Sequence, residues 1–363
     1  MSLLFFFVAI QLLYYVGVFS FLFFYKERKK TKSSPSNPVS IIICARNEEK
    51  NIAHTIESVL RQDYPNFEIV IVDDRSTDQT LNIIKSFARK NPQISYYVNS
   101  ENNVLKGKKQ ALIQGISKAK YEHILLLDAD CEPQSNQWIR LMTEKIQGHK
   151  QIVLGYGAYQ KQNSLINKII RYETLLTVIQ YFSWARMGYP YMGVGRNLAY
   201  TKTMFENSDK FANHINIQSG DDDLLINSVA NNTNTNICID SNSFTISIPK
   251  TTFKEWYIQK RRHISTANSY SWFDKIQLTL FFISQIGFLV TTIYLIIFSK
   301  IDLYIMILLS IRYIFCGIIL YKCGKQFHEK DLFWLFPLYE LILVFVQISL
   351  FVNNLIQKPK RWK

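Results

Sequence analysis

Two aspartates separated by one alanine close an aliphatic run in ILLLDADCEP, residues 124–133, and a second pair opens DDRSTDQT at residues 73–80. Carboxylates spaced Asp-x-Asp at the end of a strand hold a hard divalent cation through oxygen. Mg2+ or Mn2+ bound by Asp128 and Asp130 would keep part of its shell for phosphate oxygens and neutralise a leaving diphosphate. A third acidic run, GDDD at residues 220–223, stands before an apolar helical start. Helix capping accounts for one of the three aspartates. Mutual repulsion raises the proton affinity of at least one other and suits it to general-base work. The basic run QKRRH, residues 259–263, borders an apolar segment. It serves both as a positive flank and, through arginine, as a bidentate clamp on a diphosphate.

The elements that must carry these residues are short. Residues 39–45, 67–74 and 123–130 read as strands apolar along their length, and residues 49–61, 78–89 and 108–118 carry helical patterns between them. Such alternation predicts an α/β domain with a parallel sheet covered on both faces, spanning residues 36–268. In that architecture ligands bind beyond the carboxyl ends of the strands. Arg46, Asn47 and Glu48 follow the first strand, Asp73 and Asp74 end the second, and Asp128 and Asp130 end the third. Ser76, Thr77 and Asp78 suit a helix N-cap and need no ligand. No Ser/His/Asp triad is argued by spacing, and GKKQ at residues 107–110 lacks the upstream glycine and following Ser/Thr of a P-loop.

The rest of the chain belongs to a membrane protein. Residues 3–25 are uncharged and long enough to cross the hydrocarbon core. They lack the charged start and small-residue cleavage site of a cleavable signal, so residues 1–25 are expected to be an anchor. Further apolar runs at residues 278–298, 303–320 and 332–355 predict a membrane region over residues 276–356. The net charge of +14 is concentrated at residues 26–32, 254–262 and 358–363, beside the apolar segments. That placement predicts a cytoplasmic domain beside a membrane and argues against a nucleic-acid partner. Three later crossings would leave residues 358–363 outside, so one C-terminal segment is expected to be interfacial or re-entrant. The five cysteines are scattered, as in a reducing compartment.

In order, CARNEEKNI, VDDRSTDQT, KGKKQAL, LLLDADCEP, GVGRNLAY, GDDDLL and QKRRH resemble the family 2 glycosyltransferases. The likeness is to the membrane-anchored bacterial branch related to ceramide glucosyltransferases and to cellulose and hyaluronan synthases. It implies a GT-A fold, a nucleotide-sugar donor, Mg2+ or Mn2+, and an inverting transfer, here to a lipid or lipid-linked acceptor. It also implies roles for single residues. Asp74 would bind uracil with Asp73 and Glu48 nearby, and Lys108 would lie along the nucleotide. Asp128 and Asp130 would serve ribose and metal, and Asp222 would be the base. Gln259 and Arg262 match the Gln-x-x-Arg-Trp motif, with Arg262 on the diphosphate. The chain departs from the family pattern twice. The Glu-Asp pair is Asp221-Asp222, which keeps Asp223 as an alternative base, and the motif's Trp is His263, which argues against processive synthesis. Two other readings stand beside a single transfer: a processive polysaccharide synthase, and a catalytically silent sugar-nucleotide-binding membrane protein.

Overall fold

The computed structural model describes residues 1–26, 37–99, 108–214, 217, 219–298 and 302–356. Of the basic runs, residues 27–32 and 358–363 lie outside the described residues, as does the expectation for the side of the tail. The chain forms two compact units. Among the described residues, one holds 37–161 and 188–250, and the other 1–26, 162–187 and 251–356.

In the first unit, the strands are β1 (Val39–Ala45), β2 (Phe67–Asp73), β3 (Ile94–Val98), β4 (His123–Asp128), β5 (Cys131–Pro133), β6 (Ile152–Leu154), β7 (Gly157–Tyr159), β8 (Leu198–Thr201), β9 (Thr235–Ile237) and β10 (Thr245–Ser247). Seven of them form one sheet in the order β3-β2-β1-β4-β8-β6-β9. β-Branched and aliphatic residues bury both faces of β1, β2 and β4, which is why these strands read as unbroken apolar runs. Ile41, Ile43, Ile69, Ile71, Leu125 and Leu127 share one core with the helices Ile52–Leu60 and Trp138–Thr143. Burying each such side chain contributes about 1.5–3 kcal/mol.

The sheet is mixed, not wholly parallel: β8 runs antiparallel to both β4 and β6. Its register matters for function. Ala45 pairs with Asp73, Asp73 with Val98, and Cys44 with Asp128, so β1, β2, β3 and β4 end at one level. Because Leu198 at the start of β8 pairs with Leu126, the residues just before β8 enter from that same edge. A small second sheet, β5-β10-β7, grows from the edge, since β5 follows Asp130 and β7 follows β6.

The other unit is helical. Four of its helices are long and apolar enough to cross a membrane: Ser2–Phe23, Trp272–Phe298, Leu303–Gln326 and Lys330–Ile356. They match the four apolar runs of the sequence, and their outward side chains, among them Leu303, Ile296, Phe298 and Ile356, are exposed. Inside, Arg312 donates to Gln11 Oε1 at 2.7 Å and to both carboxylate oxygens of Glu340. The helix Leu165–Met187 adds a second buried pair, with Arg171 donating to Glu329 at 2.8 Å and to Asp331 at 2.6 Å.

Candidate active site

The carboxyl edge collects the acidic residues singled out in the sequence. Asp73 and Asp74 are buried at the tip of β2. Asp73 Oδ2 accepts the Ser76 N–H at 3.1 Å, while Asp74 Oδ1 accepts from Arg75 at 3.0 Å and from Asn99 Nδ2 at 2.9 Å. Arg46 stands 3.6 Å from Asp74 Oδ2. Three buried acceptor atoms, Asp73 Oδ1, Asp74 Oδ2 and Asn99 Oδ1, have no hydrogen-bond partner among the described residues. Buried polar atoms are rarely left so, and a cluster of acceptors calls for a ligand that donates.

The loops after β1 and β2 hold each other in place. Asn47 N donates to Ser76 Oγ at 3.0 Å, Thr77 N to Asn47 Oδ1 at 2.8 Å, and Glu48 N to Thr80 Oγ1 at 2.7 Å. Asp78 accepts from Thr80 N at 3.0 Å and Glu49 N at 3.2 Å, a capping role bridging both loops at the start of Thr80–Lys90. The Glu48 carboxylate accepts from Asn51 Nδ2 at 2.7 Å.

Lys108 opens the helix Lys108–Lys118, and its Nζ lies 2.6 Å from Asp128 Oδ1 and 2.9 Å from Asp221 Oδ2. Burial works against its charge, but Asp128, Asp221 and Asp222 together outweigh it and hold its pKa well above the ordinary lysine value. Neighbouring Lys109 is buried and donates to the carbonyls of His214 at 2.7 Å and Ile217 at 2.9 Å, tying the chain ahead of GDDD to this helix.

Asp222 is half-buried, and its two oxygens are fixed separately. Oδ2 accepts the Gly195 N–H at 2.6 Å and Oδ1 the Asp223 N–H at 2.8 Å. Burial and the charges of Asp221 and Asp223 push its pKa up to about 7, with Lys108 and the Gly195 N–H pulling the other way. Gly195 permits this approach, because a Cβ there would stand 3.2 Å from both Asp222 Oδ2 and Lys108 Nζ. Asp223 turns to its own helix, Asp223–Val229, where Oδ1 accepts the Leu224 N–H at 2.8 Å.

Donor atoms of Asp128, Asp130 and Cys131 lie within 4.8 Å of one another. The carboxylates suit a hard divalent cation; the thiol does not. Burial and the charges of Asp130 and Asp128 push the Cys131 thiol well above its ordinary range, and Sγ sits 2.9 Å from Ser247 Oγ. The oxygen pair therefore fits Mg2+ or Mn2+ with Cys131 outside the ligand set.

Glu48, Asp73, Asp74, Lys108, Asp128, Asp130, Asp221 and Asp222 thus share one unit and one sheet edge. Gln259, Arg262 and His263 lie on the helix Phe253–Ile264 of the helical unit, capped by Thr252 Oγ1 accepting from Glu255 N at 3.3 Å. There Lys260 pairs with Glu173 at 2.5 Å and Arg261 donates to Asn354 Oδ1 at 3.2 Å. Asn99, Lys109 and the Gly195 amide carry no sequence expectation. Asn99 stands just past a short, partly exposed strand that gives no local signal, whereas Lys109 and Gly195 lie inside the runs KGKKQAL and GVGRNLAY with no role attached to them.

Residues 40–209 match the profile of glycosyl transferase family 2. A poly-β-1,6-N-acetyl-D-glucosamine synthase of Staphylococcus epidermidis is 30% identical over 189 residues, 49% of this chain and 45% of that protein. The synthase of the same name from Staphylococcus aureus is 28% identical over 187 residues, 49% of this chain and 44% of its own length. The chain thus spans less than half the length of these relatives. Among solved structures, a mannosyltransferase from Pyrobaculum calidifontis in complex with GDP-Man and Mn2+ shares the fold, with a TM-score of 0.60, 18% identity and coverage of 94% and 97% of the two chains. The profile of glycosyl transferase family 2 thus matches the block that carries Lys108, Asp128 and Asp130, and the solved mannosyltransferase shares its GT-A fold.

Proposed function

We propose that this protein moves one sugar, with inversion, from a nucleotide-sugar donor, a UDP-sugar in this reading, to a hydroxyl of a lipid or lipid-linked acceptor at the cytoplasmic face of a bacterial inner membrane. The observation that carries it is Asp222: a carboxylate with both oxygens positioned, next to the Lys108–Asp128 pair, and with a pKa raised to about 7. A base with that proton affinity takes the acceptor proton efficiently near neutrality. The acceptor oxygen then forms its bond to the anomeric carbon as the bond to the diphosphate breaks. Bound by Asp128 and Asp130, Mg2+ or Mn2+ supplies charge neutralisation to that leaving group. Asp73 Oδ1 and Asn99 Oδ1, which accept no hydrogen bond from the described residues, support binding of a base edge that donates N–H. By resemblance, Arg262 would contact the diphosphate, and Gln259 would belong to the donor-binding set.

The poly-N-acetylglucosamine synthases among the relatives favour a second reading, processive polymerisation. Imidazole at His263 offers a smaller stacking face to a sugar ring than the indole it replaces. Detergent-solubilised protein incubated with a panel of nucleotide sugars and membrane lipid extract, with products identified by mass spectrometry, decides among the readings. One added sugar is expected, and both EDTA and Asp130→Ala should stop it. A ladder of lengths would establish the synthase. No turnover with any donor would leave the silent binding protein.

A further inference from the structure

Arg196 follows Gly195, whose amide fixes Asp222, and among the described residues no carboxylate pairs with it. Its backbone is held from both directions. Gly195 before it donates to Asp222. Asn197 after it is buried, accepting Trp138 Nε1 at 3.0 Å and donating to the carbonyls of Tyr156 and Ser243 at 2.8 Å each. The Arg196 carbonyl itself accepts from Thr245 Oγ1 of β10 at 2.9 Å. The side chain lies across β7, with the guanidinium carbon 4.3 Å from the centre of the Tyr159 ring. Gly157 makes room for it, since a Cβ there would come within 2.3 Å of the arginine Nε. That Nε is buried and has no hydrogen-bond partner, and among the described residues no carboxylate forms an ion pair with Arg196.

Of the other cations of this edge, Lys108 is matched by Asp128 and Asp221, Arg75 and Arg46 by Asp74, and Lys109 is held by the carbonyls of His214 and Ile217. Arginine cannot shed its proton, a part-buried charge without a counter-ion is costly, and Tyr159, which stacks on the guanidinium and accepts a hydrogen bond from it, offsets only part of that cost. In an inverting displacement the acceptor attacks opposite the leaving group, so the base marks the acceptor side, and Arg196 is rooted one residue from the amide that fixes the base.

We propose that Arg196 binds a phosphate group carried by the acceptor, beside the hydroxyl that Asp222 deprotonates. The inference rests on the reading of Asp222 as the base, and it narrows the acceptor to phosphorylated lipids or lipid carriers.

The test uses the full chain in detergent, saturated with Mn2+ and UDP, or GDP where UDP does not bind, so that the donor's phosphate positions are filled. Inorganic phosphate is then titrated by calorimetry. Phosphate should bind the wild type; Arg196→Gln should weaken it by about tenfold or more, as expected for loss of a charge-assisted contact, and Arg196→Lys should recover most of it. Dihexanoyl phosphatidic acid binding more tightly than phosphate assigns the site to a lipid headgroup, and equal affinities assign it to phosphate monoesters generally. Absence of phosphate binding in the wild type, or unchanged affinity in Arg196→Gln, overturns the proposal. Nucleotide binding, expected to be the same in all three proteins, reports that each is folded. Its loss from the wild type would count against the donor reading instead.

Discussion

Among the described residues, the helical unit and the sheet edge bury charge on opposite plans. In the helical unit each buried arginine meets its carboxylate: Arg312 with Glu340 and Gln11, Arg171 with Glu329 and Asp331. At the sheet edge one lysine is shared by Asp128 and Asp221, Asp222 is left with a raised pKa, and Asp73 Oδ1 and Asn99 Oδ1 accept no hydrogen bond from the described residues. Matched charge within a bundle positions helices. Unmatched charge at a strand edge stores an attraction for something that arrives, and a strongly shifted carboxylate in such a place is a functional signal.

The sharpest way to break the comparison is to neutralise one carboxylate in each region. Asp222→Asn should lower kcat by about 10²–10⁴-fold with little change in donor KM, because a base acts in the transition state and not on the bound donor. The same change should leave the thermal midpoint in detergent equal or higher, since it removes repulsion from Asp221 and Asp223. If stability falls with activity, Asp222 is a strut and not a base.

In the helical unit the signs reverse. Arg312→Met leaves Glu340 buried without its partner and should destabilise by about 3–5 kcal/mol, whereas Arg312→Met combined with Glu340→Leu should recover most of that loss. Denaturation midpoints of the single and double variants check it. A single variant as stable as the wild type would place Arg312 among groups that something else satisfies.

How much of this was legible beforehand follows from the range of the interactions involved. β1, β2 and β4 declared themselves because strands covered on both faces are apolar throughout, and their shared edge follows from parallel alternation. The carboxylates of Asp73, Asp74, Asp128 and Asp222 are legible as local runs. The antiparallel β8 was not, since its four residues give no period and its direction is set by the chain that precedes it. Asn99 was missed because β3 is half-exposed and broken by polar residues. The Gly195 amide and Arg196 depend on which loop reaches the edge, a property of the topology and not of the residues.

A smaller effect is expected in the pH profile. Below the raised pKa of Asp222 the carboxyl is protonated and cannot accept, so kcat/KM should fall about tenfold per unit as pH drops below about 7, and level off above it. A profile flat between pH 5 and 8, values spanning the range in which an ordinary carboxylate is already ionised, would mean that Asp222 is not titrating in the rate-determining step.

The smallest effect belongs to Asp223, and it separates the two aspartates that the sequence left in competition. Asp223 accepts from the Leu224 N–H, and its charge is among the causes that raise Asp222. Asparagine keeps an oxygen that can accept at a helix start, so Asp223→Asn should fold normally. Removing the charge withdraws one source of repulsion, and the acidic limb of the profile should move to lower pH by less than about one unit. The plateau rate should stay within a few-fold of the wild type, because the base itself and its contact to Gly195 are untouched. If Asp223→Asn is instead inactive while Asp222→Asn turns over, the base lies one residue further along, and Asp222 owes its raised pKa to crowding at a helix cap.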